Sequence, residues 1–194
     1  MRLSIAAALL VAAGTALAGC DSPTFRFDPL LVADTVTLAL PAPGDTLGSA
    51  LDVTPAGALI GFVRHPELTA DAGQWDVTIR ERDGRLAFVP AGMLGITDAS
   101  GDSSRAGVTH PLAKSFDEVI EAPGRGSFVR DSAVVIEQGA VYVVSSRTTA
   151  GSFGSGCVEF AKVQPLAVDV EAGRVELSLV ANQNCSDPRL AMTD

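Results

Sequence analysis

Alternation of apolar and polar side chains dominates this sequence, and it predicts strands. Val36, Leu38 and Leu40 alternate with Thr35, Thr37 and Ala39, the period of two that a half-buried strand needs. Pro41, Pro43 and Gly44 end that run. A second run over 58–64 carries Leu59-Ile60-Gly61-Phe62-Val63 and stops at His65-Pro66. The clearest hairpin joins Trp75–Arg80 to Arg85–Val89. Trp75, Val77 and Ile79 fall on one face, and Asp76, Thr78 and Arg80 on the other. Asp83-Gly84 between them supplies the positive-φ positions of a tight turn.

Further along, residues 97–107 contain Asp, Ser, Gly and Arg with almost nothing apolar, which predicts a loop. Ser115-Phe116-Asp117-Glu118-Val119-Ile120 predicts one short helix, with Ser115 and Glu118 as a capping box and Pro123-Gly124 as its stop. The last third is the most strongly β. Ser132–Ile136 and Ala140–Ser146 flank Glu137-Gln138-Gly139, and Val158–Val170 and Arg174–Ala181 flank Glu171-Ala172-Gly173. Val175, Leu177 and Leu179 share a face opposite Glu176 and Ser178. Pro165 inside the long strand points to an edge or a bulge. Consecutive hairpins with short turns favour a meander in one antiparallel sheet. The expected fold is therefore all-β and mainly antiparallel, a β-sandwich or strongly bent sheet with one short helix. It occupies 34–194 as one mainly-β domain.

The N-terminus follows a different pattern. Arg2 precedes Leu3–Ala13, apolar except for Ser4, and Gly14–Gly19 is mostly small. These are the three parts of a signal peptide, 1–19, and the apolar run is too short to span a bilayer as a helix. Leu17-Ala18-Gly19-Cys20 resembles a bacterial lipobox, which implies that Cys20 is lipidated and becomes the first mature residue. Residues 20–33, with Pro23 and Pro29, then read as a tether. The implied location is extracytoplasmic, held to a membrane by acyl chains. The alternative is an ordinary secretory signal that ends near a cysteine.

Charge and cysteines narrow the partners. The formal net charge is −9 at pH 7, and one unit more negative once Arg2 leaves with the leader. That argues against nucleic acid, which is gripped through Lys and Arg on phosphates, and against a polybasic grip on anionic lipid. Of the three cysteines, Cys20 goes to the lipid, leaving Cys157 and Cys185 as a pair in an oxidising compartment. A disulfide is expected; the alternative is two free buried thiols. Their spacing is not a zinc pattern.

The order of several short motifs carries a family resemblance over roughly 58–181. Trp75-Asp76-Val77 starts a strand, Phe116-Asp117-Glu118-Val119 sits in a mid-chain turn, and Gly139-Ala140-Val141-Tyr142-Val143-Val144 precedes Glu159-Phe160-Ala161-Lys162-Val163 and Arg174-Val175-Glu176-Leu177. This order resembles the HmuY-like family of bacterial lipoproteins. The resemblance implies a mainly β fold and haem binding through two axial side chains, although those ligand positions have no counterpart in this chain, and the Cys157–Cys185 pair departs from the family pattern.

Candidate ligand-binding residues are few. His65 and His110 are the two histidines, and imidazole suits iron, copper and zinc. Met93 could act as a soft axial ligand; its bland reading is core filling. The bland reading of the histidines is two unrelated loop-edge residues, each before a proline. Asp98, Ser100 and Asp102 look like half a calcium loop but lack the glycine and bidentate glutamate of an EF-hand. Trp75 and Tyr142, the sole Trp and Tyr, could wall a pocket or anchor the core. No Gly-x-Ser-x-Gly elbow, His-Glu-x-x-His or P-loop is present. The expectation is a non-enzymatic, lipid-anchored binding module of the cell envelope with no obligatory cofactor, haem or small-ligand capture being its sharp form. The alternative is a structural or assembly lipoprotein that binds a protein partner.

Overall fold

The computed structural model describes residues 28–42, 46–54, 62–66, 73–98, 100–150 and 156–192. The lipobox with Cys20, most of the tether, and 58–61 of the second apolar run lie outside the described residues. In chain order the strands are β1 (Leu31–Ala39), β2 (Ala50–Leu51), β3 (Val63–Arg64), β4 (Val77–Arg82), β5 (Arg85–Pro90), β6 (Gly107–Thr109), β7 (Phe128–Val129), β8 (Val134–Val135), β9 (Tyr142–Ser145), β10 (Thr149–Ala150), β11 (Gly156–Cys157), β12 (Phe160–Asp169) and β13 (Arg174–Asn182).

They form an all-β, antiparallel fold. One sheet has the order β1-β13-β12-β9-β6-β7, a second β3-β2-β4-β5-β8, and β10 pairs with β11 alone. The expected alternation builds the core between the two larger sheets. Val36 and Leu38 of β1, Val175, Leu177 and Leu179 of β13, and Tyr142 and Val144 of β9 face Leu51, Val77, Ile79, Leu86 and Phe88 of the other sheet. The Asp83-Gly84 turn forms as the sequence predicts, with φ of 51° and 71°, and sets the register Arg82 opposite Arg85. The β12–β13 hairpin also forms, and its register shifts between Pro165 and Ala167, where the proline cannot donate to the ladder.

Four expectations are corrected. The strands do not make one meander. Glu137-Gln138-Gly139 is not a hairpin turn but a crossing between sheets: β8 pairs with β5, and β9 with β12 and β6. Alternation identifies a strand but not its partner. Here Ile136 N–H donates to Leu86 O at 2.9 Å, keeping the chain on β5 up to the crossing. The buried Tyr142 then pins it, donating to Val135 O (3.0 Å) and accepting from Glu137 N–H (2.9 Å). Second, β1 begins at Leu31, inside the segment read as tether, because Leu31 and Val32 pair with Asn182 and Ala181.

Third, 115–120 is a turn, not a helix. Glu118 still reaches back to Ser115, accepting from its N–H and hydroxyl at 2.8 Å. The carbonyls of Phe116 and Val119, however, accept from the Lys162 ammonium (2.9 and 3.1 Å), and one turn before Pro123 is too short to repay helix nucleation. Among the described residues the helical pieces are two short 3₁₀ turns, Ala91–Leu94 and Arg125–Ser127. Fourth, Trp75 is buried away from Val77 and Ile79, in a small cluster with Ala50, Ala91 and Ala106.

The six-stranded sheet is covered on its outer face too. Val141, just before β9, and Val143 of β9 pack outside the main core with Val119, Phe128 and Leu190, flanked by Leu112, Phe116 and Phe160. The cover is the chain from Leu112 to Phe128 plus the C-terminal stretch to Leu190. Gly107 lets β7 close on β6: a Cβ there would sit 3.0 Å from both Phe128 Cβ and Val129 O.

Candidate functional site

Where that cover ends, a cavity of about 800 Å³ opens. Its walls come from four stretches. The cover contributes Glu121 to Arg125, Phe128 and Arg130; the chain from the end of β9 to the start of β12 contributes Ser145, Thr148, Gly156, Val158 and Phe160; the C-terminal stretch contributes Ser186 and Pro188; and Arg105 completes the rim. Gly156 of β11, Val158 in the link and Phe160 at the start of β12 follow one another at alternate positions along this wall. Two phenylalanines give the cavity an apolar floor, Phe128 and Phe160, with ring centroids 6.0 Å apart.

The charges at this cavity oppose those of the whole chain. Its charged lining residues are Arg105, Arg125, Arg130 and one acid, Glu121. Arg130 lies over the Phe128 ring, 5.7 Å from the centroid. It also ties the rim together, donating from Nε to Arg105 O (3.0 Å) and from Nη1 to Arg125 O (3.1 Å).

Ser146, Arg147 and Glu159, which alternate with or lie between the cavity-lining residues, belong instead to a buried ionic cluster. Asp52 and Asp76 follow β2 and precede β4; Arg64 ends β3; Arg147 follows β9. Arg147 is shared: its Nη1 donates to Asp52 Oδ1 (3.0 Å) and Asp76 Oδ1 (3.1 Å), Nη2 donates to Thr54 Oγ1 (3.1 Å), and its backbone N–H donates to Asp76 Oδ1 (2.7 Å). Asp76 Oδ2 accepts from Val53 N–H at 2.7 Å. Arg64 pairs with Asp52 at 2.9 Å. Glu159 completes the group, accepting from the Ser146 hydroxyl at 2.9 Å, with Oε1 3.0 Å from the Cys157 sulfur. Burial pushes the Asp76 carboxyl up to about 7 against the pull of Arg147, and burial also raises Glu159.

That shift sets a pH dependence. Between about pH 4, where an unfolded aspartate titrates, and about 7, folded Asp76 holds a proton that the unfolded chain has lost. Folded protein then binds more protons, so stability falls as pH rises through this window. Asp187, held at about 2 by Arg189, acts oppositely and loses its contribution as pH falls toward 2. The melting temperature should therefore peak near pH 4–5 and decline toward 7. Asp76→Asn should flatten the decline. Calorimetry over pH 4–8 checks this; a wild-type profile that rises or stays level over that range contradicts it.

The disulfide forms. Cys157 and Cys185 are joined with Cα atoms 5.1 Å apart, inside the expected range. Neighbours of both cysteines, Gly156, Val158 and Ser186, line the cavity. The predicted ligand residues lie elsewhere. His65 is half-buried just past β3, His110 is exposed just past β6, and Met93 is exposed in the first 3₁₀ turn. None of the three lines the cavity, nor does Trp75 or Tyr142. Asp98 folds its own loop, accepting from Arg105 N–H at 3.3 Å, and among the described residues no group of three or more His, Cys, Asp or Glu is placed to hold a metal ion. Comparison with protein-family models, curated proteins and solved structures gives no match to this chain. The HmuY-like resemblance thus rests on its ordered motifs alone.

The sequence reading missed the three cavity arginines and the ionic cluster. For the cluster a local signal existed: Leu51-Asp52-Val53 and Trp75-Asp76-Val77 each set one acid inside an apolar stretch, which favours a buried, partnered carboxylate. The cavity arginines carry no such mark, since Arg105 sits in a polar loop and Arg125 between two glycines.

Proposed function

We propose that this chain is a lipid-anchored, extracytoplasmic binding module, not an enzyme, and that it holds a small ligand in the cavity beside the disulfide. The observation that carries the binding reading is the built character of that cavity. A disulfide, a hydrogen-bonded arginine and a sheet buried on both faces frame it, which suits a largely pre-formed ligand site. The anchor reading rests on Leu17-Ala18-Gly19-Cys20 and the apolar run before it. A haem carried in this cavity would have to be held without His65, His110 or Met93.

Two measurements test the proposal. Mass spectrometry of the natively exported protein should find an acylated Cys20 at the N-terminus, and Cys20→Ser should leave the precursor uncleaved or release the protein from the membrane. An unmodified mature N-terminus elsewhere contradicts the anchor. For the cavity, the full lipoprotein in non-ionic detergent should bind the uncharged probe 2-naphthamide at one saturable site in calorimetric titration, after subtraction of a micelle blank. Thr148→Trp, which fills the cavity from its wall, should abolish that binding. A linear, non-saturable titration contradicts the cavity as a ligand site.

A further inference from the structure

We infer that the ligand of this cavity is an anion: a carboxylate, or an acid of like geometry, on a flat apolar body. The inference rests on the cavity being the binding site, and it adds the chemistry of what binds. It starts from a mismatch of charge. The chain carries −9 overall, yet the charged side chains of the cavity are three arginines and one glutamate. Arginines placed together repel one another, a cost that the acidic remainder of the chain reduces but does not direct to one spot. Their grouping here is a local feature.

The second observation is how these arginines are used. Arg130 is committed to the protein. Its Nε and Nη1 donate to the carbonyls of Arg105, Arg125 and Phe128, and its guanidinium lies over the Phe128 ring. By holding the backbones of Arg105 and Arg125 it sets those two residues on the same rim. The guanidinium groups of Arg105 and Arg125 make no hydrogen bond or ion pair with any described residue, and both side chains are exposed. Two fixed attachment points thus carry two uncommitted planar forks. A guanidinium matches a carboxylate through two parallel N–H donors, and such charge-assisted bonds are roughly twice as strong as neutral ones.

The third observation concerns the floor. Phe128 and Phe160 lie with ring centroids 6.0 Å apart and planes tilted by 37°, and Val158 and Pro188 extend the apolar surface. A flat apolar group fits there better than a sugar or a polyphosphate. Arg130, already over one face of this floor, offers a further cationic edge. Together the rim and the floor select a ligand with a charged end and an apolar end.

The test compares 2-naphthoate with 2-naphthamide, which match in shape and differ in charge. Calorimetric titration uses the full lipoprotein in non-ionic detergent at low salt, with micelle blanks. Wild type should bind the naphthoate at least about tenfold more tightly than the amide. Arg105→Gln/Arg125→Gln should remove that preference, bringing the naphthoate affinity to that of the amide in the same variant. Raising the salt concentration should weaken the naphthoate alone. Equal affinity for the two probes, or a preference that survives the double substitution, overturns the anion inference and leaves the cavity as a neutral-ligand site. Saturable binding of neither probe overturns both this inference and the binding reading beneath it.

Discussion

Arg147→Met should lower the melting temperature by roughly 6–20 °C, the equivalent of about 3–5 kcal/mol in a chain of this size. Removing one partner of a buried, shared network is costly, and here the loss takes the common donor from two buried acids at once. Arg147 Nη1 is shared by Asp52 and Asp76, and its Nη2 holds Thr54. Both carboxylates are essentially inaccessible to water, at 1% and 0% side-chain exposure. Arg64 still reaches Asp52, but Asp76 keeps only backbone donors. The cluster also joins the two layers, because the acids flank β2 and β4 of the five-stranded sheet and Arg147 follows β9 of the six-stranded one. Arg125→Met at the cavity rim is the control and should move the midpoint by no more than about 0.5 kcal/mol equivalent. A double-mutant cycle with Asp76→Asn should show strong coupling, since the two residues share one network. An Arg147→Met melt within a degree or two of wild type would mean that the cluster is dispensable.

The reach of sequence reasoning in this protein followed the range of the interactions. Features set by neighbours in the chain were legible. The Asp83-Gly84 turn, the β12–β13 hairpin and the bulge at Pro165 each depend on local backbone chemistry, and each forms. The Cys157–Cys185 bond was legible because lipidation of Cys20 would leave two cysteines to pair. What depended on distant partners was not. The alternation on both sides of Glu137-Gln138-Gly139 describes a hairpin equally well as a crossing; Tyr142 and Leu86 decide it, through contacts that local pattern does not encode. The Ser115–Glu118 capping contact was correctly placed, yet the helix it would start is overridden by Lys162, more than forty residues later in the chain. Trp75 kept its burial but not its company. Asp76 was assigned to the polar face of its strand, and it is fully buried because its partner Arg147 lies 71 residues away. The cavity itself is assembled from four separated stretches, so no window of sequence contains it.

Reduction of the disulfide should destabilise the fold and weaken ligand capture together. The bond spans a sequence separation of 28, for which chain entropy gives about 3–4 kcal/mol, or roughly 6–15 °C in melting temperature. Cys157→Ala/Cys185→Ala should reproduce the loss. The far-UV β signature should survive, because β12 and β13 stay paired from Phe160–Asn182 to Asp169–Arg174 without the bond. What changes is the wall of the cavity. Gly156 and Val158 on one side and Ser186 on the other are held together by the disulfide and by one backbone bond, Ser186 N–H to Val158 O at 2.9 Å. Without the disulfide, Ser186 keeps one hydrogen bond to Val158, while Gln183 N–H to Leu30 O (2.9 Å) and Ala122 N–H to Pro188 O (2.7 Å) still hold the flanks, so the wall loosens at Ser186 and the site loses its pre-formed shape there. Weaker binding of 2-naphthoate should therefore accompany the lower midpoint, although neither cysteine is itself a lining residue. Cys185 is exposed, so a mild reductant should reach the bond in the folded protein, and thiol labelling reports when it has opened. If complete labelling of both cysteines leaves the melt and the naphthoate affinity unchanged, the disulfide neither stabilises the fold nor shapes the cavity.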